Sequence, residues 1–585
     1  MKRTVWAAGA TAAAVGVGVT TAGAAPTGAS DGIRTQVVVD GQAQPVFAVR
    51  PADWIVKEAW VSVPVDSDHD GRPDRAHIRY AVAKDAPQRV PVIMVASPYW
   101  VGVNDVANHN VDHDLYDPDT RAGARQPGHE RATGGGVQLL DRWTAATWIS
   151  RGFGYVEFES LGTGGSTGCP TTGGVNETLG VKAVIDWLNG RATAVDAAGK
   201  AVRASFANGN VGMVGTSYDG TLPNAVAATG VEGLKAIIPT SAISDWYGYY
   251  RAGGAVVAPE GYQGEDADVL AKFVLTRANP AICRPVVADL ARAQDRLTGD
   301  LNNFWQGRSY LADVAKVKAA VYVAHGLSDW NVKPSQAGLW YRALRAQGTP
   351  AKVYWHQGGH GGEPPVNAQV RWFTRYVLGI RNGVDSEPRA LIESPTGINK
   401  AYAEWPVPGV RNRSMSFSSF ILRAGTPKAR MTFADDPRQT LTSFTNAPRR
   451  ATGLAYESFP IEKATRLSGF PTATLKVSLA QPNANLTVGI LDIDKAGRAT
   501  LVTQGWADPQ NRRSLWRTDP ITPGAVMTVK VRLEATDHVF APGHSLALTI
   551  LQSDHDFTIR PPAGKQVQVD VTRSGITLPL DRPLP

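Results

Sequence analysis

Between about residues 50 and 380 the chain repeats one pattern: an apolar, β-branched run, a turn, then a stretch with helical spacing. Val90-Pro91-Val92-Ile93-Met94-Val95 has the pattern of a buried strand and ends in Ala96-Ser97-Pro98-Tyr99. Tyr155-Val156-Glu157-Phe158 runs into the glycine-rich loop Gly162 to Gly168. Leu179 to Leu188 then sets Val181, Val184, Ile185 and Leu188 on one helical face. Val211 to Val214, Ala319 to Ala324 and Ala351 to Trp355 each lead into a further turn. Strand, turn and helix in repetition predict a doubly wound α/β sheet.

Two regions break this rhythm. Residues 240–315 are rich in Trp, Tyr and Asp, show helical periodicity over Asp266 to Leu275 and Pro285 to Leu297, and carry no clear central strand. They read as a helical cap inserted over the carboxyl edge of the sheet. After residue 395 the pattern becomes short alternating segments separated by turns. Examples are Ala473 to Leu479, Leu486 to Ile493, Val526 to Leu533 and Leu546 to Leu551, and they predict an all-β sandwich of jelly-roll type. The expected division is therefore 25–395 for the α/β domain, with its cap at 240–315, and 396–585 for the sandwich.

The amino terminus has a different character. Met1-Lys2-Arg3 precedes an alanine-rich apolar run, and Ala22-Gly23-Ala24 supplies the small-residue pattern of a cleavage site. Residues 1–24 thus read as a secretory signal peptide, with export and cleavage near Ala24 expected. No later run is long and apolar enough to suggest a membrane span. Export would permit a Cys169–Cys283 bridge, although two buried thiols fit the sequence as well. The formal charge of +8 comes from scattered Lys and Arg with no aromatic-interleaved basic patch, which argues against a nucleic-acid partner.

The chemistry is concentrated in three turns. Gly215-Thr216-Ser217-Tyr218-Asp219-Gly220 directly follows Val211–Val214, so the serine sits on a tight strand-to-helix turn above the sheet. A serine hydroxyl is a weak nucleophile and needs a base oriented by an acid. In α/β-hydrolases these follow in the order Ser, Asp, His, each after a later strand. Here Asp329 follows the run ending Ala324-His325-Gly326, and His360 lies in Gln357-Gly358-Gly359-His360-Gly361 after the next run. His325 and His356 sit outside that post-strand glycine loop and read as structural. The elbow departs from G-x-S-x-G, since Asp219 stands two residues after the serine and Gly220 three. Acyl transfer also needs oxyanion donors. The N–H of Tyr218 is the expected first, and the Tyr99 hydroxyl the second, because no His-Gly-Gly-Gly stretch is present.

With Ser97-Pro98-Tyr99, Gly162-Thr163-Gly164-Gly165-Ser166-Thr167-Gly168 and Gly215 to Gly220, the chain resembles the Xaa-Pro dipeptidyl-peptidase family and its cocaine-esterase-like relatives. Ser241 to Tyr247 and Gly261 to Asp268 are similar to the peptidase branch in particular, and G-x-S-Y-x-G is that family's form of the elbow. The resemblance implies a serine exopeptidase that releases dipeptides from unblocked peptides with proline at the second position, by way of an acyl-enzyme. No cofactor, no membrane partner and no metal are expected from the sequence. Recognition of a free amino terminus then requires a desolvated carboxylate near the serine. The cap offers Asp245, Glu260, Glu265, Asp266 and Asp268, of which Glu265 is the expected anchor. Trp246, Tyr247 and Tyr250 are candidates for walling the proline ring.

Two other readings stay open: an acyl esterase or amidase of the same fold, and a sugar- or surface-binding protein built on the jelly roll. Asp66 to Asp74 places carboxylates at calcium-loop positions 1, 3, 5 and 9 but has His77 at position 12, so an Asp/Gly-rich hairpin turn is the plainer reading. His109, Asp112, His113 and Asp114 lack metal-ligand spacing. Gly162 to Gly168 is not a dinucleotide loop.

Overall fold

The computed structural model describes residues 34–131, 137–423, 426 and 428–585; the leader expected over residues 1–24 lies outside them. The amino-terminal domain is built on a 12-stranded sheet. Its main strands are β1 (Trp54–Ser62), β2 (Arg75–Ala83), β3 (Val90–Ser97), β4 (Gly154–Glu159), β5 (Ala207–Thr216), β6 (Leu234–Thr240), β7 (Ala320–Gly326), β8 (Ala351–His356), β9 (Ala390–Glu393) and β10 (Asn399–Tyr402). They lie in the order β1-β2-β4-β3-β5-β6-β7-β8-β9-β10, with two very short strands extending the β1 edge. From β4 through β9 all neighbours run parallel, while β1, β2 and β10 pair antiparallel. Every residue of β3, β4, β7 and β8 is buried. Such strands must be covered on both faces.

Helices α1 (Arg142–Ile149) and α8 (Val366–Tyr376) cover one face, around Ile93, Trp148, Ile238 and Phe373. Helices α2 (Val175–Leu188), α3 (Tyr218–Ala227) and α7 (Ser335–Ala346) cover the other, around Met94, Val184, Leu222 and Trp340. Between β6 and β7 lies the expected cap: α4 (Trp246–Tyr250), α5 (Ala267–Val274) and α6 (Arg284–Ala293), with one small hairpin pairing Arg251–Ala252 with Ala255–Val256. Cys169 and Cys283 form a disulfide that ties the glycine-rich loop to the cap.

The carboxyl-terminal domain consists of an eight-stranded and a five-stranded sheet, both antiparallel, that enclose a separate core including Leu475, Val488, Leu548 and Leu578. The boundary differs from expectation. Strand β10 keeps the chain in the first sheet as far as Tyr402, beyond residue 395, and the first strand of the second domain begins at Arg411. The segment Asn399 to Tyr402 is mostly exposed, so it lacks the apolar alternation that would reveal a strand.

Candidate active site

Ser217 stands between β5 and α3 with φ 65° and ψ −127°, a left-handed conformation uncommon for a residue with a side chain. The flanking glycines make room for it. A Cβ on Gly215 would collide with the carbonyl oxygen of Asp219, and one on Gly220 would come within 2.6 Å of Gly215 O and 2.8 Å of Thr240 O. The glycine three residues after the serine therefore does the steric work that strict G-x-S-x-G assigns to the second. Asp219 occupies that second position and turns its carboxyl toward Ser97; burial pushes it up to about 8.

Parallel registry brings the three turns together. Thr216 pairs with Thr240, Thr240 with Ala324, and Gly326 with His356. Cross-ties continue past the strand ends. Ser217 N donates to Thr240 O (2.9 Å), Thr216 Oγ1 donates to Glu363 Oε1 (2.6 Å), and Gly361 N donates to Ser241 Oγ (3.0 Å). The residues beside Ser217 are thus bonded to the loop that carries His360.

His360 Nδ1 lies 2.9 Å from Asp329 Oδ2; the imidazole is one-third exposed and the carboxylate fully buried. Burial alone would raise the Asp329 pKa, but the His360 hydrogen bond and the neighbouring His325 hold it below the usual carboxylate range. The other Asp329 oxygen accepts from the N–H groups of Asn331 (3.1 Å) and Val332 (2.9 Å), which fixes its direction. An ionised Asp329 keeps the proton on His360 Nδ1 and leaves Nε2 free to accept one. His325 is buried against Val332 O and pushed down to about 4 by that burial, and His356 bonds Gly361 O. Both are structural supports of the same loops.

Tyr218 opens α3, so its N–H has no carbonyl to meet within the helix. Its hydroxyl donates to Glu177 (2.6 Å), and its ring packs edge-on against Tyr99 and Trp246. Burial raises the Tyr99 phenol well above its ordinary pKa, so it stays a neutral donor.

The cap carboxylates separate cleanly by their partners. Asp245 caps α4 through Gly248 N. Asp266 is paired with Arg251 and Arg296, and Asp268 with His109 and Lys272. Glu260 is exposed, its backbone tied to Trp330 O. Glu265 is buried and bonded only by neutral donors, Gln126 Nε2 (2.8 Å) and the Tyr250 hydroxyl (2.9 Å). Burial pushes it up to about 7 against the pull of those two bonds. Among the described residues it forms no ion pair within bonding distance, so it is a desolvated acid whose charge no cation meets directly.

The aromatic candidates divide as well. Tyr250 touches Glu265, whereas Trp246 is locked to Tyr310 and Tyr247 sends its hydroxyl to Gly299 O and its ring to Trp305. All three are buried, and Tyr250 is the one of them that bonds Glu265. Tyr249, not expected from the sequence, is close enough to feel the charges of Glu265 and Asp329. Lys333, whose ammonium donates to Tyr249 O and is pushed down to about 8 by burial, adds a positive field between Glu265 and Asp329.

The remaining polar clusters serve as tethers. Asp66, Asp68 and Asp74 bring oxygens within 4.8 Å of one another in the loop joining β1 to β2, and Asp68 pairs with Arg277 beside the disulfide loop. His109 pairs with Asp268, Asp112 with Arg560 and Asp114 with Lys565, while His113 bonds a backbone oxygen.

Residues 70–362 match the family described as X-Pro dipeptidyl-peptidase (S15 family), and residues 382–581 match the X-Pro dipeptidyl-peptidase C-terminal non-catalytic domain. The chain is 40% identical to a Bacillus anthracis protein named a candidate Xaa-Pro dipeptidyl-peptidase, covering 92% of this chain and 90% of that protein. Two solved structures share the fold with a TM-score of 0.62 each. An aminopeptidase from a marine sediment Thaumarchaeota archaeon is 16% identical and covers 91% of this chain and 97% of its own. A CocE/NonD family hydrolase from Staphylococcus aureus is 15% identical and covers 90% and 94%.

Proposed function

The chain belongs to the X-Pro dipeptidyl-peptidase family and is a serine-type hydrolase, and on that premise we propose that it releases Xaa-Pro dipeptides from unblocked peptides through Ser217, His360 and Asp329. Ser217 Oγ attacks the carbonyl carbon of the second residue while His360 Nε2 takes the hydroxyl proton. Tyr218 N–H and the Tyr99 hydroxyl stabilise the oxyanion. His360 returns the proton to the leaving nitrogen, the C–N bond breaks, and a dipeptidyl ester remains on Ser217. Water, deprotonated by His360, then frees the dipeptide and restores the serine.

Glu265 is the proposed anchor of the substrate's ammonium, and Tyr250 and Tyr249 flank it. The observation that carries this is its isolation: Asp266 and Asp268 already hold cations, and Asp245 holds a helix end. A buried carboxyl raised to about 7 gains most from a ligand that brings a positive charge. Asp245, Trp246 and Tyr247 act on the site only by shaping the cap.

Export completes the reading. The leader pattern over residues 1–24 and the Cys169–Cys283 bridge both suit an oxidising compartment, and among the described residues no helix is long and apolar enough to cross a membrane. The two-sheet domain is proposed to be of jelly-roll type.

Paired hydrolysis of free and N-acetylated Gly-Pro-arylamide tests the assignment, with Ser217→Ala as control. The expected result is cleavage of the free substrate alone, lost in the variant. Equal cleavage of both substrates would replace the peptidase with an esterase or amidase of the same fold, the class that the CocE/NonD likeness suggests.

A further inference from the structure

On the α1 and α8 side of the elbow the structure contains a cavity of about 690 Å³. Gly215, Thr216 and Asp219, the residues around Ser217, line it, and so do Glu363 to Val366, the segment just after His360. Trp100, Trp143 and Trp148 supply its aromatic lining, and the Arg131 guanidinium lies 5.8 Å from the Trp100 ring. Trp143 is 89% exposed and Val366 55%. A single bare apolar side chain needs no explanation, but an indole and a valine on one cavity are a feature of binding surfaces.

The order of bond breaking decides which half of a substrate can reach this cavity. The acyl half is held toward the cap by Glu265. The leaving nitrogen receives its proton from His360, so it departs on the side of the His360 loop. That loop continues directly into the cavity lining. Inside, Asp219 Oδ1 is buried without a hydrogen-bond partner, and an orphaned oxygen is costly unless a ligand supplies a donor. The N–H groups of an extended peptide are suitable donors. With the carboxyl pushed up to about 8 by burial, it also carries a proton at neutral pH and can donate to a peptide carbonyl.

We propose that this cavity is the subsite for the leaving chain, receiving the first residues beyond the scissile bond in extended form, with apolar side chains against Trp100 and Trp143 and backbone groups at Asp219. The assignment deepens the peptidase reading and rests on it. It makes the enzyme sensitive to the residues beyond the proline, with preference for large apolar side chains there.

The test compares Gly-Pro-Phe-Leu-Leu with Gly-Pro-amide, whose leaving group is ammonia, in the wild type and in Trp143→Ala. Because that side chain is largely in solvent, its loss leaves the core packing in place. The ratio of kcat/KM for the pentapeptide to that for the amide is expected to fall about tenfold in the variant. An unchanged ratio would overturn the subsite while leaving the peptidase reading intact. Failure of the wild-type protein to cleave either substrate would overturn the peptidase reading, and the subsite with it.

Discussion

A buried carboxyl that bonds only to an amide and a phenol makes Glu265 a point where function and stability oppose each other. Its folded pKa, raised to about 7 by burial, exceeds the ordinary 4.5, so between these values the folded state binds more protons than the unfolded. Its contribution to stability is therefore full below pH 4.5 and is lost as pH rises through 7. Glu265→Gln is expected to raise the melting temperature at pH 8, by up to about 3 kcal/mol of stability, and to leave it unchanged at pH 4; calorimetry at both pH values checks this. The same variant should lose the preference for free over N-acetylated substrate. The three turns that carry Ser217, Asp329 and His360 were legible in the sequence because each follows a strand whose apolar run can be seen. The buttress of Glu265 was not. Gln126 meets it across a separation of 139 residues, and no local pattern announces such a contact. In Trp246 to Tyr250 every side chain but glycine is a large aromatic, and only the phase of a five-residue helix decides that the Tyr250 hydroxyl meets Glu265 while the Tyr247 hydroxyl meets Gly299 O.

The elbow is the element on which the whole arrangement turns, and its glycines are set by contact rather than by flexibility alone. Gly220→Ala would press a Cβ against Gly215 O and Thr240 O. The expected outcome is a loss of about 1–3 kcal/mol in stability and slower labelling of Ser217 by a fluorophosphonate, read by denaturation and by labelling kinetics. The strands that carry the site were visible as apolar runs because they are buried on both faces. Strand β10 escaped notice because its side chains are mostly in solvent and leave no trace in hydropathy. The hairpin within the cap is likewise too short to show a period of two.

At the scale of the molecule, the sandwich is not an appendage. Trp330, the residue after Asp329, packs with Trp506 and Phe557 from the second domain, and Ala258 N donates to Phe557 O. Trp506 also donates its indole N–H to Asp554 (3.1 Å). Trp506→Ala is expected to cost about 3–5 kcal/mol and to lower kcat/KM through the displaced Asp329 loop. Because the contact is shared, calorimetry should show one transition for both domains, shifted down, rather than a separate early one. No sequence pattern joined these three aromatics, since Trp506 lies within a strand while Trp330 and Phe557 lie at turns in distant parts of the chain. Trp330 therefore has a consequence for descent as well as for folding. A lineage that exchanged its carboxyl-terminal module for another would lose the backing of the Asp329 loop in the same event, so the two modules are expected to be inherited together.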